Sequence, residues 1–108
     1  MSILRLSFED DGRSIKAHEG DVITITLREN PSTGYRWMAE STNEEAVQLQ
    51  NTSFDPASKT MIGSGGARTF SFRVTSPGIS VVRLRQRREW AGAASDIGQC
   101  EMTIEALP

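Results

Sequence analysis

Apolar residues recur at every second position from one end of this sequence to the other, and the three- and four-residue spacing of a helix is almost absent. Successive side chains of a strand point to opposite faces, so this period describes strands with one face buried and one in water. ILRLSF places Leu4, Leu6 and Phe8 on one side, and VITITL turns Ile23, Ile25 and Leu27 inward with Thr24 and Thr26 outward. RTFSFRV sets Phe70, Phe72 and Val74 against Thr69, Ser71 and Arg73, and SVVRLRQR sets Val82 and Leu84 against Arg83 and Arg85. GQCEMTIEAL alternates Cys100, Met102 and Ile104 with Gln99, Glu101, Thr103 and Glu105. The intervening EDDGRS, HEGD, NPSTG, GSGG, SPG and WAGAASDIG carry the Gly, Pro, Asn, Asp and Ser that turns require. Short strands punctuated in this way predict an all-β chain, built as a sandwich or a barrel. Residues 40–62 are the least regular, with weak alternation at Val47 and Leu49 and a helical turn at NEEA.

Trp37 follows NPSTG in phase with Tyr35 and Ala39, on what the pattern makes the third strand. A buried Trp on that strand marks immunoglobulin-like β-sandwiches, here without the accompanying disulfide, because Cys100 is the only cysteine. At 108 residues the chain is expected to form one domain over residues 1–108.

Most enzyme classes find no constellation here. His18, the only histidine, lies in the polar, turn-like KAHEG, and Cys100 sits in a strand pattern, so a cysteine-histidine pair is not expected. One Cys and one His cannot supply a zinc set, and no cofactor is expected. Asp10/Asp11 and Glu44/Glu45 are adjacent pairs that read as turn or surface charges, not as a glycosidase dyad. A net charge of -2 gives no overall pull toward nucleic acid or anionic membrane. Arg83, Arg85, Arg87 and Arg88 form a local basic cluster without interleaved stacking aromatics, which reads as a solvated strand face. No apolar run approaches the roughly 18 residues of a membrane span, and MSILRLSFEDDGRS lacks the apolar core of a secretory signal. The expectation is a cytoplasmic protein for the chain as it stands, or a secreted or periplasmic one if a precursor was trimmed.

Three connections are furnished for more than turning. In NPSTG, Asn30 is able to accept from its own backbone two residues on, Pro31 presets the next position, and Gly34 permits positive φ before Tyr35 resumes the strand. The loop should therefore be stiff, with Ser32 and Thr33 at its tip. In GSGGAR, Gly63, Gly65 and Gly66 around Ser64 remove side chains that would keep another backbone away. The spacing fits neither a Walker motif nor a dinucleotide fingerprint. RREWAGAASDIG is long for a connection and carries Trp90, either a satellite core residue or an exposed anchor.

NPSTGYRW, GSGG and RREW, in this order and separated by strands, resemble the chagasin family of cysteine peptidase inhibitors. The similarity covers nearly the whole chain. Ser32 replaces the first threonine of the family's NPTTG loop, and Arg88-Glu89-Trp90 departs from the usual Arg-Pro-Trp. The resemblance implies an immunoglobulin-like sandwich with three loops at one end, inhibiting papain-like peptidases reversibly; the free chain is expected to be a monomer. It implies that Asn30, Pro31, Ser32, Thr33, Gly34 and Tyr35 lie over the catalytic cysteine-histidine pair. Gly63, Ser64, Gly65 and Gly66 would run beside the substrate channel, and Arg88 and Trp90 would brace the leaving-group side. On that reading, Thr33→Ala and Trp90→Ala weaken inhibition without lowering the melting temperature. The alternative is an immunoglobulin-like adhesion or assembly module whose loops bind a protein other than a peptidase.

Overall fold

The computed structural model describes residues 1–56, 65–88 and 97–108. Eight strands run in chain order: β1 Ile3–Ser7, β2 Ser14–His18, β3 Val22–Glu29, β4 Tyr35–Ser41, β5 Val47–Pro56, β6 Gly66–Val74, β7 Gly78–Arg88 and β8 Gly98–Leu107. They form two four-stranded sheets, β1-β3-β6-β5 and β2-β8-β7-β4, the two layers of an immunoglobulin-like β-sandwich. Single 3-10 turns lie at Phe8–Asp10 and Pro31–Thr33.

The alternation in the sequence becomes the core between the layers. Ile23, Ile25 and Leu27 of β3 and Phe70, Phe72 and Val74 of β6 face Val82 and Leu84 of β7 and Cys100, Met102 and Ile104 of β8, all buried. Full burial of each large side chain stabilises by roughly 1.5–3 kcal/mol before the entropy of ordering is counted. Burial pushes the Cys100 thiol up to about 11, with Asp11 and Asp10 adding to it, so almost no thiolate exists at neutral pH.

The structure departs from the sequence pattern at the amino end. Phe8 does not continue β1; it begins the first 3-10 turn and is half exposed. Ser7 donates its backbone N–H to Asp10 Oδ2 at 2.9 Å, and that contact turns the chain out of the strand before Phe8 can alternate. The KAHEG segment is strand rather than turn as far as His18, where β2 pairs in parallel with β8. The SIKAH strand was hidden because it is short and offers only Ile15 and Ala17 to the core. Trp37 consequently lies on the fourth strand, not the third. Asn43 does open a helical turn, its carbonyl accepting from Val47 N at 3.0 Å. Beyond it β5 is a ten-residue edge strand whose alternation is broken by an irregularity between Leu49 and Asn51.

Asp21 ties this amino-terminal region together. Its Oδ2 accepts from His18 N and its Oδ1 from Ser2 N, both at 2.9 Å. These backbone donors, His18 first, hold its carboxyl below the usual range. A lowered folded pKa contributes stability that is complete above the ordinary value near pH 4 and disappears as pH falls through the folded value. Asp21→Asn is therefore expected to melt lower than the parent at pH 7 and to lose less on acidification. Parallel melting curves from pH 7 to pH 2 check this.

Candidate functional site

Strand direction decides which loops meet. Glu29, the last residue of β3, pairs with Gly66, the first of β6, and Gly66 pairs with Pro56, the last of β5. The β3–β4 and β5–β6 connections therefore leave the sandwich at one end. In the other sheet Tyr35 at the start of β4 pairs with Arg88 at the end of β7, and Gln86 pairs with Gly98 at the start of β8. Because β3–β4 crosses from one sheet to the other, both sets of ends share one rim.

The Asn30–Tyr35 loop is fastened by its own residues. Asn30 Oδ1 accepts from Ser32 N at 3.1 Å and from Ser32 Oγ at 2.7 Å. Pro31 starts the 3-10 turn, and Gly34 ends it at φ 80°, a left-handed conformation that side chains disfavour. Thr33, exposed at the tip, also uses its hydroxyl within the loop. Its Oγ1 donates to Asn30 O at 2.8 Å and accepts from Tyr35 N at 3.2 Å, so it helps to close the turn. Thr33→Ala is accordingly expected to lower the melting temperature by roughly 5 °C, for about 1 kcal/mol of lost hydrogen bonding, while Thr33→Ser stays near the parent. Thermal melts of the two variants separate these outcomes.

The neighbouring positions close in on this loop. A side chain at Gly65 would touch Glu29 O at 3.4 Å and Asn30 Cβ at 3.6 Å, so the two backbones lie against each other. Gly66 has no room for a Cβ, which would overlap Asp55 O and stand 2.8 Å from Phe54 Cζ and Pro56 Cα. The Arg88 guanidinium lies 4.7 Å from the centre of the Tyr35 ring, a cation-π contact that ties the end of β7 to the first loop. A hollow of about 220 Å³ opens among Arg28, Glu29, Asn30, Gly65, Gly66 and Gln86. Of the residues singled out in the sequence, Asn30, Pro31, Ser32, Thr33, Gly34, Tyr35, Gly65, Gly66 and Arg88 thus stand at one rim. Gly63, Ser64 and Trp90 lie outside the described residues.

Beneath the rim is a polar knot that the sequence reading missed. Glu29, only 3% exposed, accepts from Trp37 N at 2.7 Å through Oε1, and its Oε2 takes Arg68 Nε at 3.0 Å and Nη2 at 2.8 Å. Trp37 also donates its indole N–H to Arg28 O at 2.8 Å. One carboxylate thereby joins β3, β4 and β6 directly under the loops. A signal was available: Glu29 continues the inward phase of Ile23, Ile25 and Leu27, and Arg68 precedes Phe70 and Phe72 in theirs. Opposite charges at two core positions flanking the same loops imply a buried pair.

The family model described as chagasin family peptidase inhibitor I42 matches residues 16–104. The chain belongs to the chagasin family. It is similar to chagasin of Trypanosoma cruzi, 33% identical over 101 residues, which span 89% of this chain and 91% of that protein. It is also similar to amoebiasin-2 of Entamoeba histolytica, 29% identical over 86 residues covering 79% and 70% of the two chains. The crystal structure of the cysteine protease inhibitor EhICP2 from Entamoeba histolytica superposes with a TM-score of 0.86 at 24% identity, covering 99% of this chain and 97% of that one. That likeness carries the fold, and the family carries the role: chagasin-family chains are peptidase inhibitors, not enzymes.

Proposed function

We propose that this chain inhibits papain-like cysteine peptidases reversibly by seating its rim in their substrate cleft. The supporting observation is the convergence of Asn30–Tyr35, Gly65–Gly66 and Arg88 at one end, on paired strand ends and a hydrogen-bonded turn. A papain-like site attacks a carbonyl presented by an extended peptide whose oxygen enters an oxyanion hole. The rim loop is a poor substrate for two reasons. Its backbone is a closed 3-10 turn rather than an extended segment. Asn30 O and Pro31 O are also already engaged, by Thr33 N at 3.2 Å and Gly34 N at 3.1 Å. Presenting either carbonyl to a thiolate would require opening the turn.

The free energy of binding then comes from filling the cleft without a large ordering cost. Asn30 to Tyr35 would cover the catalytic cysteine-histidine pair, Gly63 to Gly66 would approach the channel wall through their backbone, and Arg88 and Trp90 would brace the leaving-group side. Interfaces between peptidases and protein inhibitors bury on the order of 1,600 Å², and preorganised ones reach about nanomolar dissociation constants or better. The adhesion-module alternative has no comparable support once family membership is in hand.

Titration of the folded protein into cathepsin L with a small fluorogenic substrate tests the proposal. The expected result is full inhibition at one chain per enzyme, recovered on dilution. Undiminished turnover at micromolar inhibitor would refute it.

A further inference from the structure

Two residues at the rim, outside the three loops, keep polar groups to spare. Arg28 immediately precedes the Glu29 knot, and Gln86 lies two residues before Arg88. The backbone of Arg28 is fixed, because its carbonyl accepts the Trp37 indole N–H at 2.8 Å and its position pairs with Ala67 of β6. Its side chain is exposed, and among the described residues no carboxylate pairs with it. Asp55, the acid of the same cross-strand row, stands one strand farther off, across Ala67. Gln86 is half-buried in the inward phase of Val82 and Leu84, and its side-chain amide takes no hydrogen bond from the described residues. A Cβ at Gly98 would stand 3.1 Å from Gln86 Oε1, so the missing side chain there leaves this amide its place.

Both residues line the hollow of about 220 Å³ between the Asn30 loop and Gly65–Gly66. A water molecule takes about 30 Å³ of liquid, so the free rim has room for several there, and a partner seated on the rim must displace them. Displacement favours binding only where the entering group remakes their hydrogen bonds. The lining decides which group does so. Both oxygens of the Glu29 carboxylate are already engaged, by Trp37 N and by Arg68, whose charge offsets it. Arg28 supplies the remaining charge, and a guanidinium presents paired N–H donors to two oxygens at once. An entering lysine or arginine side chain would meet that charge, and an apolar one would strand the Gln86 amide. A carboxylate satisfies both.

We propose that the Arg28–Gln86 hollow is a subsite of the inhibitory rim that receives an aspartate or glutamate side chain from the edge of the target peptidase's cleft, with Arg28 as its charge partner. The proposal rests on the inhibitory reading above and adds to it a contact outside the three loops. Within a closed interface such a pair is shielded from water, and truncating one partner speeds dissociation far more than it slows encounter. Arg28 thereby favours peptidases that carry a carboxylate at this edge over those that do not.

The test compares the parent, R28Q and R28K as full chains, on the enzyme that the parent inhibits most tightly in a panel of papain-like peptidases. Inhibition by R28Q is expected to weaken roughly 10- to 30-fold, nearly all of it through faster dissociation. Its melting temperature should stay within about 3 °C of the parent, because the side chain is exposed and unpaired in the free protein. The R28K complex is then treated with a water-soluble carbodiimide, which joins an amine to a carboxylate in contact with it, and its digest is read by mass spectrometry. The expected product links position 28 to an aspartate or glutamate at the cleft edge. An R28Q variant that inhibits like the parent overturns the proposal, as does a loss confined to the association rate. An R28K complex that forms without a link at position 28 overturns it too. Should R28Q melt early, the cross-link alone decides. Failure of the parent to inhibit any enzyme of the panel would instead strike at the inhibitory reading, and this proposal with it.

Discussion

Replacing Glu29 by alanine is expected to lower the melting temperature by roughly 10–20 °C and to abolish tight inhibition. The carboxylate is 3% exposed and holds Arg68 and the backbone N–H of Trp37 together. Its removal leaves a buried amide proton without its acceptor and a largely buried guanidinium without its counter-charge. Breaking a buried pair from one side costs about 3–5 kcal/mol, and the 19% exposure of the Arg68 side chain argues for the lower end. The loss falls where β3 gives way to Asn30, so function should suffer beyond stability. Well below the melting point, the surviving folded fraction should still bind a peptidase at least tenfold more weakly. Calorimetric melts together with inhibition titrations at 10 °C measure the two effects separately. Glu29→Gln keeps an acceptor for Trp37 N and should lie between parent and alanine variant.

The second large effect is expected at Gly66. Alanine there would drive a methyl group into Asp55 O and to within 2.8 Å of Phe54 Cζ and Pro56 Cα. Two of these three obstacles are backbone, which cannot rotate away, so the β5–β6 ladder must open at the rim. Overpacking of this kind costs typically 1–3 kcal/mol, and forced backbone movement places Gly66→Ala at the upper end. Loss of amide protection confined to Phe54, Asp55 and Gly65–Ala67 is the expected signature in hydrogen exchange, with inhibition weakened at least tenfold. Unchanged protection and full inhibition would show that the rim tolerates a side chain there.

Much of this architecture was legible from alternation alone. Wherever a strand has one wet and one buried face, as at Ile23/Ile25/Leu27 or Cys100/Met102/Ile104, the period of two records it. The same logic hid two strands. β5 is an edge strand exposed along most of its length, so little hydrophobic pattern was needed, and β2 contributes only two residues to the core. Phe8 was misplaced because alternation cannot register the hydrogen bond from Ser7 N to Asp10 that ends β1.

The rim loops were visible through their turn chemistry, which depends on residues next to one another in sequence. Asn30, Pro31 and Gly34 act as their side chains and dihedrals suggest. The supports of the loops were not visible, since Glu29 meets Arg68 across 39 positions and only the fold brings them together. Thr33 illustrates the remaining ambiguity. A hydroxyl at a loop tip serves equally to meet a partner or to close the turn, and its bonds to Asn30 O and from Tyr35 N show it closing the turn in the free chain.

The most direct measurement is protection of a target's catalytic thiol. Cathepsin L, alone or with one equivalent of this chain, is treated with iodoacetamide and both proteins are weighed by mass spectrometry. Cys100 is buried with a raised pKa and will not compete for the reagent in the folded state. The expected result is an unalkylated enzyme thiol, with the inhibitor recovered at its full mass and uncut between Asn30 and Tyr35. A thiol alkylated at its free rate inside a formed complex, or a chain cleaved in that loop, would contradict a rim that fills the cleft without being a substrate.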